Sequence, residues 1–118
     1  MKFHGNKLTI LMSALFILCA LVARGQSNDQ ANRVVKVVNE ASNPIYHLYV
    51  SNVFLERWGP DQLGLFQVIT SNHYRVFNMD DGTGQCFFDI KAVLSDGREA
   101  VTRGVNVCAN SSWTVYDN

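Results

Sequence analysis

The sequence predicts an all-β domain, a small antiparallel β-sandwich of about seven strands. Three observations predict it. Beyond residue 25, apolar residues come in short runs that alternate at period two. Clusters of Gly, Pro, Asn, Asp and Ser separate those runs at short intervals. No run there keeps a 3.6-residue period over a dozen positions, so no amphipathic helix is expected. An immunoglobulin-like arrangement is one form such a sandwich takes, although the tryptophan that marks true immunoglobulin domains is missing between the two later cysteines.

The elements follow in order. Lys2 and Lys7 precede sixteen mostly apolar residues, Leu8–Ala23, and then "RGQS". This is the three-part pattern of a signal peptide, with Ala23 and Gly25 spaced for cleavage before Gln26. The apolar run is short for a membrane span, which needs about 20 residues. Retention as an anchor is the alternative to cleavage. Residues 1–25 are therefore assigned to a signal peptide, and Cys19 leaves with it. Residues 26–32, "QSNDQAN", are polar and read as a flexible lead-in to a single domain over 33–118. Strands are expected at Arg33–Asn39, Ile45–Ser51, Leu65–Thr70, His73–Met79, Gln85–Leu94, Arg98–Cys108 and Trp113–Asp117. "NEASNP", "ERWGPDQLG", "DDGTG" and "SDG" break them.

Charge narrows the function classes. The chain has ten Lys and Arg and ten Asp and Glu. Lys2, Lys7 and Arg24 leave with the leader while every acidic residue stays, so the remaining domain is net −3. It has no basic run, and nucleic acid is not an expected partner. Export would place the domain in the periplasm or outside the cell, with no stable membrane span once the leader is cleaved.

The stretch "NMDDGTGQCFFDIKAVLSDG" gathers acidic residues, glycines and a cysteine. An EF-hand needs a Glu at the twelfth loop position, and "DDGTGQCFFDIK" has none. A phosphate loop needs "GxxxxGK" before a helix, and here a strand follows without the lysine. Asp-Gly is a turn pair, because Asp and Gly tolerate positive φ, so the stretch reads first as a turn. Trp58, in "WGPDQLG", is placed to stack on a ligand or partner, or to fold inward and plug one end of the sandwich; the plug is the preferred reading. Trp58, Asp61, Asp80 and Asp81 are the candidate contact residues, and a calcium site would draw on the three aspartates.

No catalytic residues are assigned, because no nucleophile motif is present. His47 and His73 alone do not complete a zinc site of three or four ligands. No metal or cofactor is assigned.

Cys86 and Cys108 form an even pair in an exported chain and are expected to be disulfide-bonded. Closing a loop of that length stabilises by roughly 3 kcal/mol. Register sharpens the expectation. Cys86, Phe88, Ile90, Ala92 and Leu94 share the core face. A two-residue Asp96-Gly97 turn would pair Ala92 with Val101 and Cys86 with Val107, leaving Cys108 on the wrong face. A bulge at Gly104, between Arg103 and Val107, would bring Cys108 opposite Cys86. The alternative is a three-residue Asp96-Gly97-Arg98 loop, which turns the valines outward.

The motifs "IYHLYVS", "WGPDQLG", "DGTGQCFFD" and the second "DG" before "NVC" resemble those of a group of small exported proteobacterial proteins of uncharacterised function. The resemblance spans Ile45 to Cys108 and implies a signal peptide followed by one β-rich domain. It implies no activity, cofactor or ligand. Labels of Tat-signal protein or argininosuccinate lyase attached to some members do not fit this chain, which lacks a twin arginine and is far too short for a helical lyase. The functional expectation is a non-catalytic binding domain whose partner is an unknown protein or envelope component. The alternative is a small-ligand module for glycan or calcium using the loops at 58–64 and 80–84.

Overall fold

A computed structural model describes residues 26–118. The signal peptide expected over 1–25 lies outside the described residues. Among the described residues six strands form: β1 (Val34–Asn39), β2 (Ile45–Asn52), β3 (His73–Asn78), β4 (Phe87–Leu94), β5 (Glu99–Asn106) and β6 (Ser112–Val115). They make two three-stranded sheets, ordered β3-β1-β6 and β2-β4-β5, and the protein is a small all-β sandwich. Five of the strands are a residue or more shorter than the sequence runs, while β2 extends one residue further, to Asn52.

Period-two alternation builds the core. Val35 and Val37 from β1 face Phe88, Ile90 and Ala92 from β4, with Ile45 and Leu48 from β2, all buried. The core face predicted for Phe88, Ile90, Ala92 and Leu94 is the observed one. Burying each large side chain contributes roughly 1.5–3 kcal/mol. Asn39, fully buried at the end of β1, is satisfied on both sides. Its amide donates to the carbonyls of Asn43 and Ile69 at 2.9 Å each, and its oxygen accepts the Ala41 N–H at 2.9 Å.

Three expectations are corrected. First, Leu65–Thr70 is a loop, touching the ladder only through an isolated bridge between Ile45 and Ile69. Its apolar residues are adjacent rather than alternating, so only Ile69 reaches the core. Second, the sandwich is not wholly antiparallel, since β1 and β6 pair in parallel. The strands are distant in sequence, so no hairpin constrains their direction. Third, the β4–β5 loop is Ser95-Asp96-Gly97. Gly97 takes φ 88°, and Leu94 and Arg98 close the loop through a 2.9 Å bond from the Leu94 N–H to the Arg98 carbonyl. Ala100 therefore opposes Ala92, and Val101, expected in the core, opposes Lys91 and points outward.

The bulge predicted at Gly104 is present. Ile90 pairs with Thr102 but Phe88 with Val105, so Arg103 and Gly104 share the place opposite Asp89. Gly104 has φ 66°, which a residue with a Cβ adopts only at a cost. The side chain of Asp89, largely buried, fixes the bulge. Its oxygens accept the Gly104 N–H at 3.0 Å and the Arg103 guanidinium at 3.1 Å. The register shift returns Val105 and Val107 to the core. Val107, rather than Cys108, donates its N–H to the Cys86 carbonyl at 2.8 Å. Cys108 follows in a turn and closes the predicted disulfide with Cys86 at a Cα separation of 5.3 Å.

The long β2–β3 connection seals the free edge of β2. The Ile45 N–H donates to the Ile69 carbonyl at 2.9 Å, and the Gln62 N–H to the Leu48 carbonyl at 2.8 Å. Gly59 passes so close that a Cβ there would lie 2.8 Å from the Val50 carbonyl oxygen. Covering the edge in this way removes a template for strand addition.

Candidate functional site

A second bulge shapes an open groove on the surface. The β2–β4 register shifts between Ile45 and His47, so Tyr46 is an extra residue and both Tyr46 and His47 face solvent. Bulges of this kind re-aim side chains at sheet edges. Across from them the loop beginning at Gly64, which takes φ 68°, turns outward through Leu65, Phe66 and Val68. Between the two lies a largely apolar groove of about 490 Å³, with Tyr46, His47 and Asp61 on one side and Leu65–Val68 on the other. Leu65 is 92 % exposed and Phe66 97 %, so one wall of the groove is a free apolar ridge.

Asp61 holds the other side. Its Oδ1 accepts the N–H groups of Leu48 and Leu63 at 3.0 Å each, and its Oδ2 lies 2.7 Å from His47 Nδ1. Burial alone would raise this carboxyl. The Leu48 N–H, the His47 ring and the Leu63 N–H outweigh that and hold it below the usual carboxylate range. With the carboxylate ionised, the short contact is a hydrogen bond donated by Nδ1, which leaves Nε2 as the ring's free polar atom. The His47–Asp61 pair fixes the ring at the edge of the groove beside Tyr46.

The other expected contact residues do not join Asp61. Trp58 neither plugs an end of the sandwich nor stands free. Its ring lies over the outer face of β4 and β5, with Lys91 Nζ and Arg103 Cζ each 4.9 Å from its centroid. Asp80 and Asp81 sit at the far end of β2 and point at donors of their own chain. Asp80 accepts the Ser27 N–H at 2.9 Å, the Ser27 hydroxyl at 2.6 Å and the Gly82 N–H at 3.0 Å. Asp81 accepts the Asn52 amide at 2.8 Å and both the N–H and hydroxyl of Thr83. Burial raises each carboxyl, and these hydrogen bonds more than reverse it. The two aspartates therefore work as turn residues here. Among the described residues no three His, Cys, Asp or Glu side chains gather to hold a metal ion, and no helix is long and apolar enough to cross a membrane.

Sequence reading missed two features. Leu65 and Phe66 sit in a run that the sequence assigns to a strand, but they stand at the apex of a loop that follows Gly64. Arg33 was read as the polar start of a strand. It is only 2 % exposed. Its guanidinium donates to both Asp29 oxygens, at 2.9 and 2.6 Å, and to the Gln85 and Gly84 carbonyls at 2.7 and 2.9 Å. With Ser27, which also accepts the Gly84 N–H at 2.9 Å, it ties residues 26–32 to the loop before Cys86. A second exposed apolar cluster, Phe54, Leu55 and Phe87, lies at the opposite end of β2.

No family model matches the chain, and no curated protein matches it. A protein from Eubacterium rectale, solved by NMR, is similar to this chain at 12 % identity and a TM-score of 0.49, covering 78 % of this chain and 82 % of its own.

Proposed function

We propose that the chain is an exported, non-catalytic binding domain. Residues 1–25 direct export and are removed, the disulfide forms in the periplasm or outside the cell, and the domain meets a protein or envelope component through the groove beside Leu65 and Phe66. One observation carries this reading: two adjacent large apolar side chains stand almost wholly in water on the wall of a groove. Covering either one contributes roughly 1.5–3 kcal/mol. Apolar patches on this scale, rimmed by polar groups, mark contact surfaces. The test is a photo-crosslinking side chain placed at position 65 in the protein expressed in its cell of origin. Discrete crosslinked species are expected there, and none from the same group placed at Thr83. Absence of any discrete species from position 65 contradicts the proposal.

A second reading draws on a different cavity. The loops at 58–64 and 80–84 both border a space of about 320 Å³, through Gly59, Pro60 and Gln62 on one side and Asp80 and Asp81 on the other. A space of this size, mostly apolar with Asp80 and Asp81 at its edge, would admit a small ligand such as a glycan. Binding to the native state raises the thermal midpoint. Melting with a glycan panel and with calcium tests it, and no shift with either removes it.

A further inference from the structure

We propose that the partner of the groove is a second copy of this chain, docked through a two-fold symmetric contact. This rests on reading the groove as a contact surface and names what covers it. Three observations favour this occupant, and a fourth fixes how it docks.

Shape comes first. The patch holds a ridge and a hollow side by side: Leu65 and Phe66 stand out from the loop, and the groove of about 490 Å³ lies between them and Tyr46. A two-fold contact is self-complementary, with each element of one copy meeting its counterpart on the other. Each copy then offers its ridge to the other's hollow, and both exposed pairs are covered in one event. A flat or purely concave patch lacks this property.

Charge comes second. The groove carries one carboxylate, Asp61, which His47 already meets. Its rim carries one guanidinium, Arg75, bonded through Nη1 to the Gln67 side chain at 2.9 Å. Two such patches face each other without an excess of either sign. An anionic lipid surface is the competing apolar acceptor, and it repels a domain of net −3.

Area comes third. Phe66 alone offers on the order of 200 Å². Leu65, Tyr46 and Val68 bring the apolar area to roughly twice that, about half the ~800 Å² per partner of a standard interface, which suits a weak, reversible dimer rather than a permanent one. Tyr46 and His47 Nε2 add polar handles, as the mixed composition of interfaces requires.

Backbone pairing is fourth. The β2 edge beside the groove is occupied by Ile69, Gln62 and Asp61, so a partner here docks by side chains rather than by adding a strand.

The experiment is sedimentation equilibrium of the purified, disulfide-intact protein from low micromolar to millimolar concentration. A reversible monomer–dimer equilibrium is expected. The double variant Leu65→Ser, Phe66→Ser should weaken it about 100-fold or more, since it removes two central apolar anchors. Both residues are exposed, so its thermal midpoint under dilute conditions should match the wild type. The control, Phe54→Ser with Leu55→Ser at the other end of β2, should leave the dimer intact. A wild type that stays monomeric at millimolar concentration overturns the proposal. So does a dimer indifferent to the changes at 65 and 66, or one abolished by the control. Hydroxyl-radical footprinting separates self-pairing from contact with a different partner. A monomer whose Phe66 is nevertheless shielded in its native setting rejects self-pairing and keeps the contact surface. A monomer with Phe66 open in both settings rejects both.

Discussion

Single residues carry more of this structure than their types suggest. Gly59 is a glycine for contact, since any Cβ would meet the Val50 carbonyl oxygen at 2.8 Å. Gly59→Ala should push the covering loop off β2 and cost roughly 1–3 kcal/mol, read as a lowered urea midpoint. An unchanged midpoint would mean that the loop yields without loss. Arg33 gathers Asp29 and two carbonyls next to Cys86. Arg33→Lys keeps the charge but cannot reproduce the fork, so it should lower the thermal midpoint almost as much as Arg33→Ala. Full rescue by lysine would show that charge alone matters. Neither role is legible in the sequence. The Gly59 contact is made across a turn, and the Arg33 carbonyl partners lie more than fifty residues away. Legible at this scale was the Asp-Gly chemistry of Asp80–Gly84, where short side chains accept the N–H groups two residues on.

At the scale of elements, β4 was the most legible strand because its alternation is strict and its core face wholly apolar. β5 was readable only in part. Its glycine announced a bulge, but the loop before it takes three residues where Asp-Gly implied two. Asp96 accepts the Arg98 N–H at 3.1 Å and Gly97 supplies the left-handed position, which together favour the longer turn. The bulge then corrects the register that this turn sets. Asp89→Ala should leave the Gly104 N–H without its acceptor and cost roughly 1–3 kcal/mol, with faster amide exchange at Gly104 and Val105. Exchange unchanged at those sites would show that Gly104 holds the bulge unaided. The loop from Gly64 to Val68 is not legible for a physical reason: β-propensity rewards Phe, Val and Ile wherever they stand, and only burial tells a strand from an apex.

For the whole molecule, two fastenings hold the sandwich beyond its thin core. The disulfide ties the loop entering β4 to the turn leaving β5, and replacing both cysteines with serine should cost about 3 kcal/mol. Carboxylates pin the ends. Asp29, beside Arg33, is lowered from 3.8 to about 2, first by its hydrogen bonds with that guanidinium and then by the Ala31 N–H. Asp61, Asp80, Asp81, Asp96 and Asp117 are lowered as well. A carboxyl depressed in the folded state contributes stability that is complete above its unfolded value and lost as pH falls through its folded one. The thermal midpoint should therefore hold steady at neutral pH and fall as pH drops from about 3.8 towards 2, the window set by Asp29. A midpoint that rises through that window contradicts the assignment.

The proposed contact surface requires the ridge of Leu65 and Phe66 to be covered when the protein is at work. Hydroxyl-radical footprinting of Phe66 measures this most directly, comparing dilute purified protein with the same protein in its native setting. Rapid oxidation of Phe66 is expected in dilute solution and strong protection in place, with the exposed Tyr116 oxidised equally in both. Equal oxidation of Phe66 in the two settings would contradict it.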